Sequence, residues 1–177
     1  VARAVIDDAE ERGLLKPEDA YELDADSPSL GSREDFLSWK PEAAAGVTDT
    51  DSPLLEAAAL YRALLEFHTG DADPTAVLAA DLDRILWAAG AAVGPELTDR
   101  KQAALEAFLE RAGDHETAAL ARFHLAQTVR EQGDLVEARA IALVAAEKHP
   151  KSPGGAMCRN LIAEIEARDL SLSTERS

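Results

Sequence analysis

The sequence predicts an all-α fold, an irregular antiparallel helical bundle or solenoid, on three observations. Apolar residues make up 46% of the chain but aromatics only 5%, and much of the remainder is alanine, which suits close-packed helices better than a bulky sandwich core. Helix boundaries recur in one form, a Ser or Asp followed by Pro at the start and a Gly at the end, the asymmetry expected of helix termini. Between these marks apolar residues return three and four positions apart. At 177 residues the chain is long enough for one compact domain to bury a sizeable core without covalent staples.

Taken in order, Ser52-Pro53 opens a helix that Gly70 closes, with Leu54, Ala58, Tyr61, Leu65 and His68 on one face. Asp73-Pro74 opens the next, closed near Gly94. A third begins at Thr98 and ends at Gly113, its apolar stripe formed by Leu105, Phe108, Leu109 and Ala112. The fourth runs from about Asp114 to Gly133. Asp134 with Glu137 has the form of a capping box and starts a fifth helix that ends before His149-Pro150. Ser152-Pro153 starts the sixth, which turns Met157, Cys158, Leu161, Ile162 and Ile165 inward and leaves Arg159, Glu164 and Arg168 in water.

Both ends read differently. Residues 1–51 form a loop-rich segment with a short helix near Ala2 to Arg12 and a turn of helix near Asp35 to Trp39. Tyr21, Leu23, Phe36, Leu37 and Trp39 are the expected anchors by which it drapes over the helical domain at 52–168. At 169–177, Leu170-Ser171-Leu172-Ser173 alternates like a strand, the start of a following β domain or a linker.

Ala119 to Pro150 fits a tetratricopeptide-like helix pair, a unit with a period of about 34 residues. Leu125, Ala126 and Val129 supply its first helix, Gly133 the turn, Ala138 and Ala145 the close contact, and Pro150 the terminator. Arg122 stands where the motif places an aromatic, and one repeat upstream Pro95 would interrupt a helix, so one good unit with irregular helical neighbours is expected.

Charge and composition exclude several functions. With Lys+Arg 18 against Asp+Glu 34, the net charge of -16 repels a phosphate backbone, so nucleic acid is not an expected partner. The apolar run Ile85 to Val93 is far short of the roughly 20 residues that cross a bilayer, so no membrane insertion is expected. The chain opens at Val1 rather than Met, as an excised or processed piece would. Cys158 is the only cysteine, which leaves no internal disulfide and no Cys-x-x-Cys pair, and it reads as core. His68, His115, His124 and His149 form no zinc spacing. The Asp-x-Asp pairs 24/26, 49/51, 71/73 and 81/83 fit helix capping better than calcium loops, since Pro28 and Pro53 fall at ligand positions and no closing Glu follows. Pro153-Gly154-Gly155 lacks the Lys and flanking glycines of a phosphate loop, and there is no nucleophile elbow. No catalytic, cofactor or metal residues are expected, and the chain reads as a non-enzymatic interaction module.

Thr48-Asp49-Thr50, Leu60-Tyr61-Arg62-Ala63-Leu64-Leu65-Glu66-Phe67-His68, Asp71-Ala72-Asp73-Pro74 and Asp81-Leu82-Asp83-Arg84, followed by Lys151-Ser152-Pro153-Gly154-Gly155, Cys158-Arg159-Asn160-Leu161-Ile162, Ile165-Glu166 and Leu170-Ser171-Leu172, together resemble the helical region preceding the first macroglobulin domain in bacterial alpha-2-macroglobulin-like proteins, the large extracellular alpha-helical type. The resemblance spans about Asp49 to Glu175. It implies a non-catalytic amino-terminal module of a protease inhibitor. Its partners would be the neighbouring macroglobulin domains, with target proteases or another envelope protein beyond them, and its location periplasmic, outer-membrane-anchored or extracellular. Many such inhibitors capture proteases through a Cys-x-Glu-Gln thioester. Cys158 is followed by Arg159, Asn160 and Leu161, so no thioester role passes to it. The other expectation is a free-standing tetratricopeptide-like adaptor that binds a partner peptide.

Overall fold

The structure, a computed structural model, describes residues 21–41 and 52–174. Among them are seven α-helices and no strand: α1 Arg33–Ser38, α2 Pro53–His68, α3 Thr75–Ala91, α4 Leu97–Ala112, α5 Thr117–Glu131, α6 Leu135–Lys148 and α7 Pro153–Thr174. The fold is all-α. The chain divides into two compact units, Val1–Lys101 and Gln102–Ser177.

In the first unit, α2 and α3 form a helical hairpin. Ser52 caps α2 by accepting from Leu54 N at 3.4 Å, with Pro53 at the first helical position. Asp73 holds the start of α3, its Oδ1 accepting from Thr75 N at 2.9 Å and from the Thr75 hydroxyl. The anchors of the amino-terminal segment behave as their chemistry requires. Tyr21, Leu23 and Phe36 are buried, and Leu37 and Trp39 pack from the side onto a core of Phe36, Ala58, Leu65, Val77 and Ala80. Residues 21–25 run extended beside the end of α3, where Val93 N donates to Leu23 O at 2.8 Å and Ala25 N to Val93 O at 2.9 Å. A 3₁₀ turn, Pro28–Leu30, then leads into α1, whose Ser32 and Asp35 form a reciprocal capping box. The helix expected near Ala2 to Arg12 and the segment Thr48-Asp49-Thr50 lie outside the described residues.

In the second unit α5, α6 and α7 pack against one another pairwise. The contact layer is made of small residues: Ala118, Ala119, Ala121, Ala126, Ala138, Ala142 and Ala145 are all fully buried. Gly133 turns α5 into α6 with φ +98°, a left-handed conformation that a β-carbon disfavours. Asp134 caps α6 by accepting from Glu137 N at 2.9 Å. At α7 the approach is closest. A β-carbon on Gly154 would stand 2.3 Å from Leu120 N and 2.5 Å from the Ala119 carbonyl carbon, and one on Gly155 would stand 2.0 Å from His149 O. Exposed pairs Arg130–Glu164 and Arg139–Glu166 tie the rim, each adding about 0–1 kcal/mol.

Two expectations change here. The tail at Leu170–Ser173 is helix, since α7 continues to Thr174. An alternation of four residues has no neighbouring strand to pair with, whereas extending an existing helix adds a hydrogen bond for each residue fixed. Met157, expected inward, is exposed. Gly154, Cys158, Leu161 and Ile165 form the buried line of α7, and Met157 lies to one side of it.

Candidate interaction surface

Helix α2 is apolar nearly all round, PLLEAAALYRALLEFH, so burying one face leaves another uncovered. Ala58 and Leu65 are buried, and Tyr61 meets the Trp87 ring of α3 at 5.3 Å. On the opposite side Leu60 is 71% exposed, Leu64 42% and Phe67 78%. Positions i, i+4 and i+7 fall on one face, so these three form a continuous ridge. Single exposed apolar residues are ordinary, whereas a contiguous run on one helix face is less so.

The exposed charged side chains of the α2–α3 hairpin have one sign. On α2, α3 and their turn, Glu56, Glu66, Asp71, Asp73 and Asp83 are exposed, while Arg62 is half-buried and Arg84 fully buried. His68, half-buried, places Nδ1 2.7 Å from Asp71 Oδ2 and its ring edge-on to Phe67.

Arg84 was not singled out by the sequence reading, and it is the largest fully buried side chain among the described residues. Its Nη2 donates to Asp81 Oδ1 at 2.5 Å and its Nε to the same oxygen at 3.2 Å. Nη1 reaches across to Ser29 O at 2.7 Å and Gly31 O at 3.0 Å, and the guanidinium lies 5.1 Å from the Phe36 ring centre. One cation thus neutralises a buried carboxylate, satisfies two loop carbonyls and fastens the 3₁₀ turn to α3. Its role is structural. The signal was present as Asp-x-x-Arg, at i and i+3, inside an otherwise apolar helix.

The other described polar groups make local contacts. A cleft of about 290 Å³ opens beside the 3₁₀ turn, between Asp26, Asp35, Trp39 and Arg100. Its cation is already neutralised, since Arg100 contacts Asp26 at 2.5 Å and Glu96 at 3.5 Å. In the second unit the Lys148 ammonium hydrogen-bonds Asp114 and holds that exposed carboxyl below the usual range, helped by the charges of Lys148, His149 and Arg122. His115 Nδ1 accepts from Thr117 N at 3.2 Å at the start of α5, and His124 meets the Phe123 ring. The imidazole Nε2 of His149 is buried without a hydrogen-bond partner. Of the Asp-x-Asp pairs, Asp24 closes a local turn by accepting from Asp26 N, Asp73 accepts from Thr75 N ahead of α3, Asp81 is ion-paired in the core, and 49/51 lies outside the described residues. Among the described residues no group of three His, Cys, Asp or Glu is placed to hold a metal ion, and no helix is long and apolar enough to cross a membrane.

Cys158 is buried, as expected, with its Sγ 3.8 Å from Ala119 O. Burial pushes the thiol up to about 11, against the weaker opposing pull of Arg122 and Arg159. A raised thiol stays protonated, so its contribution to stability is full below the unfolded value near 9 and is lost as pH rises toward 11. At pH ~8, Ellman's reagent should label the urea-unfolded chain fully and the folded chain scarcely at all. Rapid labelling of the folded chain would place the thiol at the surface.

The chain matches no family model, no curated protein and no solved structure.

Proposed function

We propose that this chain is a non-catalytic helical scaffold and interaction module standing before the macroglobulin domains of a bacterial alpha-2-macroglobulin-like protease inhibitor. The reading is supported by where the resembling segments fall. Leu60 to His68 lies on α2, Asp81-Leu82-Asp83-Arg84 contains the buried ion pair, and Lys151 to Gly155 with Cys158 to Ile162 makes the close approach of α7 to α5. The likeness therefore sits on helical segments, partly in their packing and partly on the exposed face of α2. In this role the partners are the macroglobulin domains of the same polypeptide, and through them target proteases or another envelope protein.

A free-standing tetratricopeptide-like adaptor is the alternative, favoured by the α5–α6 pair with Ala126, Ala138 and Ala145 buried at its interface. The reading frame beyond Ser177 separates the two. Macroglobulin-type β domains following in frame are the expected result. A stop codon shortly after Ser177 would remove the inhibitor reading and leave the adaptor.

A further inference from the structure

We infer that the outer face of α2 docks an amphipathic helix whose apolar stripe is bordered by Lys or Arg. Three observations lead there, and none depends on which domains follow in the parent chain. First, Leu60, Leu64 and Phe67 form a ridge along α2 with two of the three side chains more than two-thirds exposed. Ridges at this spacing seat in the grooves of a second helix. An extended peptide would need an unpaired sheet edge, and none exists among the described residues.

Second, the exposed charged side chains of α2 itself are Glu56, four residues before Leu60 on the same face, and Glu66, next to Phe67, and both are acidic. Charges bordering an apolar contact select the partner of opposite sign and penalise the same sign. A second copy of this chain would bring the same acids against themselves, and an anionic lipid surface would repel them. Third, the ridge is two helical turns long, a patch of a few hundred Å². That area fits one helical segment but falls short of the roughly 800 Å² per partner of a standard protein interface.

The experiment uses the full 177-residue chain and a designed fluorescent Leu/Lys helical peptide of about five turns, with its Leu/Glu counterpart as control. Fluorescence anisotropy should show saturable binding of the Leu/Lys peptide and none of the Leu/Glu peptide. The variant L60Q/F67Q keeps every charge and replaces residues that support no core, so it should fold by circular dichroism and bind at least about tenfold more weakly. E56Q/E66Q should weaken binding several-fold and flatten its dependence on salt. Equal affinity of wild type and L60Q/F67Q would overturn the inference, because the peptide would then be held by acidity alone. So would equal binding of both peptides, or no binding. Sedimentation as a dimer that F67Q dissociates would assign the ridge to a second copy, and ridge-dependent binding to vesicles would assign it to lipid. Either result replaces the proposed partner.

Discussion

Gly154→Ala is expected to lower the melting temperature of the chain by roughly 10 °C. The added β-carbon would stand 2.3 Å from Leu120 N and 2.5 Å from the Ala119 carbonyl carbon, and 2.8 Å from Leu120 Cα. These are backbone atoms, so no side-chain rotation relieves the overlap. Helix α7 must move away from α5, and separation loosens the contact layer of Ala118, Ala119, Ala121 and Cys158 at once. Overpacking of this kind costs about 3 kcal/mol or more, well beyond the ~1 kcal/mol that alanine gains over glycine in helix propensity. Gly90→Ala supplies the internal control. Gly90 lies in α3 with nothing within 4 Å of the β-carbon position, so the same substitution should stabilise by about 0.5 kcal/mol. Far-ultraviolet circular dichroism melts of both variants read the opposite signs. A Gly154→Ala chain that melts with the wild type would mean that α7 does not press backbone to backbone against α5.

Arg84→Met should cost about 3–5 kcal/mol. Methionine keeps the aliphatic stem of the side chain but removes the guanidinium from beside the Asp81 carboxylate, 1% exposed, and takes the donor from Ser29 O and Gly31 O. The ion pair is not an efficient source of stability in itself, because both charges were taken out of water to make it. Breaking one side is costly for that reason. The double variant D81L/R84M should therefore be more stable than R84M alone, though still below wild type, since the two loop carbonyls remain unsatisfied. Both tryptophans, Trp39 and Trp87, lie in the first unit, so urea unfolding followed by tryptophan fluorescence reports on the region that Arg84 holds. Equal midpoints for wild type and R84M would show that the guanidinium is dispensable to the loop.

Most of the fold was legible because its punctuation is chemical. Ser52-Pro53 and Ser152-Pro153 open helices, and Gly113 and Gly133, with φ of +54° and +98°, end them. The anchors Leu23 and Phe36 could be read from their being apolar inside a polar segment. The strand-like reading of Leu170–Ser173 failed because a short alternation carries little information beside a helix already propagating into it. Met157 sits beside the buried line of Gly154, Cys158, Leu161 and Ile165, and apolar character alone does not say which flank of a helix is covered.

The interaction ridge was hidden for a different reason. Periodicity finds a buried face by contrast with polar residues opposite, and α2 offers almost none. Leu54, Ala58, Tyr61, Leu65 and His68 already make one complete face. Leu60, Leu64 and Phe67 then had to be something else, and a second apolar stripe on a helix that already has one is a sequence signal for a second contact. Arg84 escaped because a charge inside an apolar run reads as a solvated face until its partner at i-3 is noticed.

The claim on which the interaction reading depends is that α2 carries an open apolar ridge on a folded helical scaffold. Hydroxyl-radical footprinting of the folded chain, read by mass spectrometry residue by residue, tests it directly. Phe67 and Leu60 should be oxidised at rates approaching those of the unfolded chain, while Phe36 and Phe108, each 0% exposed, are protected. Phe67 protected to the same degree as Phe108 would contradict the account, because the ridge would then be part of the core.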